Sequence, residues 1–163
     1  MAVIDLLALP DALPRGAAIV GLDLGEKTIG VAVSDVSHLV ATPAQTLKRA
    51  KFTRDAGALF ALMAERGAAG LVIGLPVNMD GTEGPSSQSA RAFARNLLRL
   101  RDLPIAFWDE RLSTVAVTRA LIDEADLSRS KRAAAVDKLA AAWILQGALD
   151  RLRAAKRDPT TAL

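Results

Sequence analysis

Asp23 closes an apolar run, Ile19-Val20-Gly21-Leu22, that reads as a buried strand. Asp109 and Glu110 close a second apolar run, Pro104 to Trp108. Ligands of open α/β sheets bind outside the carboxyl ends of strands, so both positions point to a site. Asp137 is anomalous in another way. At 100° per residue, Ala133, Ala140, Ala141, Ile144 and Ala148 fall within about 60° of it, which puts the carboxylate in the middle of an apolar helical stripe. An ionised carboxylate there is costly unless it is paired or binds a cation. For any one of these acids a local Arg, Lys or backbone amide would be a sufficient partner. Several acids able to meet at one sheet edge suggest more. Carboxylate clusters attract hard divalent cations such as Mg²⁺, and two ions about 4 Å apart can activate water and stabilise the leaving oxygen in phosphodiester hydrolysis.

The elements that would position these acids follow from the apolar periodicity. Residues 19–24 form a strand, Gly25 to Thr28 a tight turn, and residues 29–35 a period-two strand, giving a β-hairpin. A weaker strand lies within 39–47, where Pro43 indicates an edge or an irregularity. A helix is expected over 54–66, capped by Thr53 and stopped by Gly67, with Leu59, Leu62, Met63 and Arg66 on one stripe. Residues 70–76 make a buried strand. Residues 77–87 are a loop, in which Ser86 or Ser87 could cap the next helix. That helix covers 86–101, with Ala90, Phe93, Ala94, Leu97 and Leu98 inward. A strand over 104–109, a helix from Ser113 to about 124, a basic loop and a long helix over 131–153 complete the chain. The order β-β-β-α-β-α-β-α-α implies an α/β fold, a mixed sheet with helices packed on it. Trp143 and Leu139 fall on the side of the last helix away from Asp137, suiting contact with the N-terminal segment or with another subunit.

The 163 residues suit one domain over 16–153, preceded by an extension over 1–15 and followed by a disordered tail over 154–163. There is no cysteine, so disulfides and thiolate chemistry are excluded. The N-terminus lacks a basic leader and is interrupted by Pro10 and Pro14, which indicates a cytoplasmic protein that does not cross a membrane. Net charge is +3 and the pI about 9.7, a footprint compatible with nucleic acid. Basic residues cluster at Lys48, Arg49, Lys51 and Arg54, at Arg129, Lys131, Arg132 and Lys138, and along Arg91, Arg95 and Arg99. Aromatic residues make up 4% of the chain, which argues against a dedicated single-strand binder. His38 is the only histidine, and it reads as structural.

Four stretches together, "GLDLGEKTIGVAVSD", "VIGLPVNMDGTEGPSSQSARAF", "DERLST" and "VDKLAAAWILQ", resemble the YqgF family, the RuvX-type Holliday-junction resolvases of the ribonuclease H-like nucleases. The resemblance runs from about residue 19 to 150. It implies a ribonuclease H-like fold and an endonuclease using Mg²⁺ or Mn²⁺. It also implies RNA or branched DNA as substrate, through Holliday-junction resolution or maturation of the 5′ end of 16S rRNA. By motif position the family's acidic residues fall on Asp23, Glu110 and Asp137, as catalytic residues and metal ligands. Asp23 would bridge two ions, with Glu110 on one and Asp137 on the other. Asp109 is set aside because consecutive strand residues face opposite sides and the motif favours Glu110. The resemblance also makes the 77–87 loop substrate-facing, with Asn78 as a contact. Lys138 and Arg111 adjoin proposed ligands and could touch phosphate, or could be surface ion-pair partners. A fourth acidic ligand, frequent in related resolvases, is not evident. The protein would act as a monomer or homodimer. The alternatives are a non-catalytic nucleic-acid-binding or ribosome-assembly factor and, more remotely, an actin-like ATP-binding protein.

Overall fold

A computed structural model describes residues 3–112 and 129–157. Five strands form one mixed sheet in the order β3-β2-β1-β4-β5. Strands β1 (Ala18–Leu24), β2 (Thr28–Ser34) and β3 (Ala41–Lys48) make an antiparallel meander. Strands β4 (Ala68–Leu75) and β5 (Ile105–Asp109) lie parallel to β1 on its other side. Helices α1 (Phe52–Arg66) and α2 (Pro85–Leu100) supply the crossovers that parallel pairing requires. A third described helix, α3 (Arg129–Arg157), follows β5. The helix expected from Ser113 to about 124 lies outside the described residues.

Each face of the sheet buries its own core. On one, Val20, Leu22, Val31, Leu71 and Ile73 meet Leu59 and Leu62 of α1 and Phe93 and Leu97 of α2. On the other, Ile19, Ala32, Val72, Ala106 and Trp108 meet Ala140, Ala141, Ile144, Leu145 and Ala148 of α3. Strand β1 is therefore apolar at nearly every position, as a central strand covered on both sides must be. Strand β3, with Pro43, is the half-exposed edge expected of it, and its pairing with β2 slips beside that proline.

Several local expectations are corrected. Thr53 does not cap α1. Lys51 occupies the cap position without a side-chain bond, while Asp55 accepts the Ala50 amide at 3.0 Å. Arg66 is exposed rather than part of the buried stripe, and Gly67 ends the helix at φ 64° as predicted. Neither Ser86 nor Ser87 caps α2. Gly84 holds that position, and the Ser87 hydroxyl turns back to donate to the Pro76 carbonyl. Residues 3–15 pack against the rest of the fold. Two 3₁₀ turns (Leu6–Ala8 and Pro10–Ala12) bury Leu6 and Leu9 in the α3-side core, and the Ile4 amide donates to the Ile105 carbonyl at 2.9 Å. Helix α3 continues through Arg157, past the boundary expected at 153. Trp143 and Leu139 face β3 rather than the N-terminal segment, lining a cavity of about 250 Å³ with Ala41 and Pro43. No helix among the described residues is long and apolar enough to cross a membrane.

One glycine gives a clean stability test. Gly57 lies inside α1, with no heavy atom within 4 Å of where a Cβ would stand. Gly57→Ala is expected to stabilise the fold by about 1 kcal/mol, the usual helix-interior difference. A thermal melt should shift upward by roughly 2–4 °C, and an unchanged or lower midpoint would contradict it.

Candidate active site

The three acids singled out by sequence sit on one face of the sheet, at the carboxyl edge. Asp23 follows Ile19 and Gly21 on the α3 side of β1 and is 4% exposed. Its cross-strand partner on β2 is Gly30. On the other flank Leu22 pairs with Ile73, so Gly74 of β4 stands beside Asp23. The central carboxylate thus has a glycine on each side, in a row across three strands.

Those glycines admit the other two acids. A Cβ on Gly30 would stand 1.9 Å from the Asp137 carbonyl oxygen and 2.4 Å from its carbonyl carbon. The backbone of α3 rests directly on the sheet there. A Cβ on Gly74 would stand 2.7 Å from Glu110 Oε1 and 2.5 Å from Ile144 Cδ1. Glu110 opens a 3₁₀ turn (Glu110–Leu112) straight after β5 and leans back over β4. Neighbouring strands are about 4.8 Å apart. Asp137 and Glu110 therefore lie one strand to either side of Asp23, on the same surface.

The three carboxylates share a row without closing on one point. Among the described residues, no group of three acidic or histidine side chains is gathered tightly enough to hold a metal as it stands. Asp137 is half-buried, and its carboxylate accepts a hydrogen bond from the Thr28 hydroxyl at the start of β2. That bond satisfies a charge which the helical stripe alone would leave costly. The donor set is entirely oxygen, which suits Mg²⁺ or Mn²⁺ rather than a softer ion.

Asp109 behaves as strand alternation requires. It faces away from the acid row and is engaged by Arg111, whose Nη2 lies 2.7 Å from Oδ2 and whose backbone amide donates to Oδ1 at 2.9 Å. The Arg111 guanidinium holds the Asp109 carboxyl below the usual range, and the Arg111 amide adds to this. Because the folded pKa is depressed, the pair's stabilisation is fully present above the unfolded carboxylate value of about 3.9 and is lost as pH falls through the lower folded value. Arg111→Ala should raise the Asp109 pKa toward that ordinary value in a ¹³C NMR titration. An unmoved titration would show that Arg111 is not the cause.

The expected substrate contacts fare differently. Arg111 is committed to Asp109, with Nη1 3.4 Å from the Asn78 carbonyl and 3.5 Å from that of Met79, so it ties the loop to β5 instead of standing free for phosphate. Asn78 is exposed, and its amide donates to Thr82 Oγ1 at 2.9 Å, shaping the turn that projects Met79. Lys138 is half-buried beside Asp137 and makes no ion pair among the described residues. The arginine stripe on α2 is interrupted at its first member. Arg91 forks onto Glu83 at 2.7 and 2.8 Å and lies 5.0 Å from the Phe107 ring centre, whereas Arg95 and Arg99 are exposed. Sequence reasoning missed Thr28 and the two glycines. Their only trace in the sequence is small residues spaced along strands that flank an acid.

The chain is similar to known proteins along most of its length. Residues 17–151 match a family model described as RuvX, Holliday junction resolvase. A proposed pre-16S rRNA nuclease of Phenylobacterium zucineum is 68% identical over 154 residues, which covers 94% of this chain and 99% of that protein. Its counterpart in Caulobacter vibrioides is 65% identical over the same coverage. Among solved structures, Thermus thermophilus RuvC in complex with a Holliday junction substrate superposes with a TM-score of 0.51 at 12% identity, covering 84% of this chain and 96% of RuvC. The yeast mitochondrial Holliday junction resolvase gives 0.52 at 14% identity, covering 96% and 88%. These two likenesses place the architecture with the ribonuclease H-like resolvases.

Proposed function

The chain belongs to the RuvX family of Holliday junction resolvases, and on that premise we propose that it is a metal-dependent endonuclease whose substrate is precursor 16S rRNA. The observation that carries this reading is the row of Asp137, Asp23 and Glu110 over Gly30 and Gly74. The names of the curated relatives favour the RNA substrate, and the family description makes four-way junction DNA the second substrate to test.

Asp23, Glu110 and Asp137 would hold Mg²⁺ or Mn²⁺. When bound, such ions lower the pKa of a coordinated water and offset charge on the leaving oxygen. The protein's own contribution is positional. Strand β1 fixes Asp23 in a buried, low-dielectric setting, where its attraction for a cation is strengthened. The glycines set the approach of the two flanking acids. Thr28 orients the Asp137 carboxylate, which would be one of the ligands. Arg111 fixes the Asn78–Met79 turn, and Asn78 and Lys138 would each contact the nucleic-acid backbone. Hydrolysis by activated water would ask for no side-chain nucleophile beside these acids. An enzyme acting on precursor 16S rRNA would work in the cytoplasm.

Purified protein should be incubated with a precursor-16S fragment, a four-way junction and a plain duplex, with Mg²⁺, Mn²⁺ or chelator. Cleavage of the rRNA fragment near its 5′ maturation point, abolished by chelator, is expected. Cutting of the junction alone would move the substrate to branched DNA. Binding without cleavage of any of them would make the chain a non-catalytic assembly factor.

A further inference from the structure

A second feature opens at the same sheet edge, on the opposite face. A cavity of about 270 Å³ is lined by Leu24, Gly25, Glu26, Arg49, Pro85, Ser86 and Ser89. Leu24 directly follows Asp23, and successive strand residues face opposite sides. The cavity therefore lies on the α1–α2 side of the edge whose α3 side carries the acid row.

Arg49 is the cation of this cavity, and it is held in place from two directions. Its Nη1 donates to the Gly25 carbonyl at 2.6 Å, and its guanidinium carbon lies 5.8 Å from the centre of the Phe93 ring. Its backbone amide donates to Lys27 at 2.8 Å. A guanidinium has five N–H donors, and the Gly25 bond uses one. Among the described residues Arg49 forms no ion pair. Ser86 and Ser89, three residues apart on α2 and both exposed, add two hydroxyl donors to the same wall. A fixed guanidinium with adjacent hydroxyls suits a phosphate better than a carbonyl or a base. No exposed aromatic ring lines the cavity to stack a base. Glu26 is exposed on the lining and opposes an anion.

We propose that Arg49, Ser86 and Ser89 form a phosphate-binding subsite for the substrate backbone, so that the nucleic acid straddles the sheet edge with one phosphate here and the scissile one at the acids. This rests on the nuclease reading, and the test separates the two. Binding of labelled precursor-rRNA fragment is followed by fluorescence anisotropy, in chelator, across a series of KCl concentrations. Arg49→Gln is expected to weaken binding by roughly tenfold, the scale of one charge-assisted contact, and to flatten the plot of log K against log salt by about one unit. Ser89→Glu leaves Arg49 and its Gly25 bond intact but puts a carboxylate into the cavity, and should weaken binding to a similar extent. Glu26→Gln should tighten it. If Arg49→Gln alone weakens binding while the other two variants match the parent, Arg49 merely props the turn and the subsite is refuted. Parental affinity and slope in all three variants, with a parent that binds and cleaves, refutes it equally. A parent that binds no nucleic acid would end the nuclease reading, and this subsite with it.

Discussion

Asp23→Asn is expected to reduce Mg²⁺-supported cleavage by more than about a hundredfold, because replacing even an outer partner of a metal ligand costs about 10- to 100-fold. The amide has almost the same shape as the carboxylate, so β1 and its neighbours need not move. What it lacks is the negative charge that the buried position exists to present. The melting temperature should stay near the parent's, since the isosteric amide keeps the packing around β1. Nucleic-acid binding in chelator should be unchanged. Single-turnover cleavage read beside a thermal melt checks both halves. A variant that cuts at the parental rate would remove Asp23 from the chemistry.

Gly30→Ala should have the largest effect on the fold. The added carbon would overlap the backbone of Asp137, at 1.9 Å from its carbonyl oxygen, and a helix backbone cannot rotate aside as a side chain does. Overpacking of this kind costs about 3 kcal/mol or more, which in a chain of this size lowers the melting temperature by at least about 6 °C. Displacing α3 also carries Asp137 away from Asp23, so activity should fall with stability. Gly74→Ala separates the two effects. Its Cβ would meet the ends of two side chains, Ile144 Cδ1 and Glu110 Oε1, which can yield. A smaller loss of stability is expected there, with a disproportionate loss of cleavage as Glu110 is pushed off the row. Equal behaviour of the two variants in melts and in cleavage would contradict the proposed cradle.

Much of this arrangement is legible in the sequence where a single element determines it. Strand alternation separates Asp109 from Glu110, and the structure puts Asp109 on the far face with Arg111. Helical phase alone places Asp137 toward the sheet, where it is half-buried, and Ala140, Ala141, Ile144 and Ala148 on the same stripe are buried as that phase requires. Pro43 marks the edge strand before any pairing is known. Contacts between distant segments could not be read in this way. Thr28 and Asp137 are 109 residues apart, and nothing in either neighbourhood announces the other. Gly30 and Gly74 look like ordinary strand glycines until α3 and Glu110 are seen to lie on them. The helix caps failed for a related reason. Thr53 and Ser87 have the right chemistry, but the Ser87 hydroxyl serves the Pro76 carbonyl eleven residues away. The N-terminal segment escaped because two 3₁₀ turns are too short to display a period, although Leu9 is completely buried.

The account depends most on divalent cations settling among Asp23, Glu110 and Asp137. Crystals grown with Mn²⁺ and measured at an anomalous wavelength test this directly. The prediction is a strong anomalous peak on the α3 face of the sheet, between Gly30 and Gly74, within coordination distance of the Asp23 carboxylate. No peak there, in protein whose cleavage still requires Mn²⁺, would contradict it.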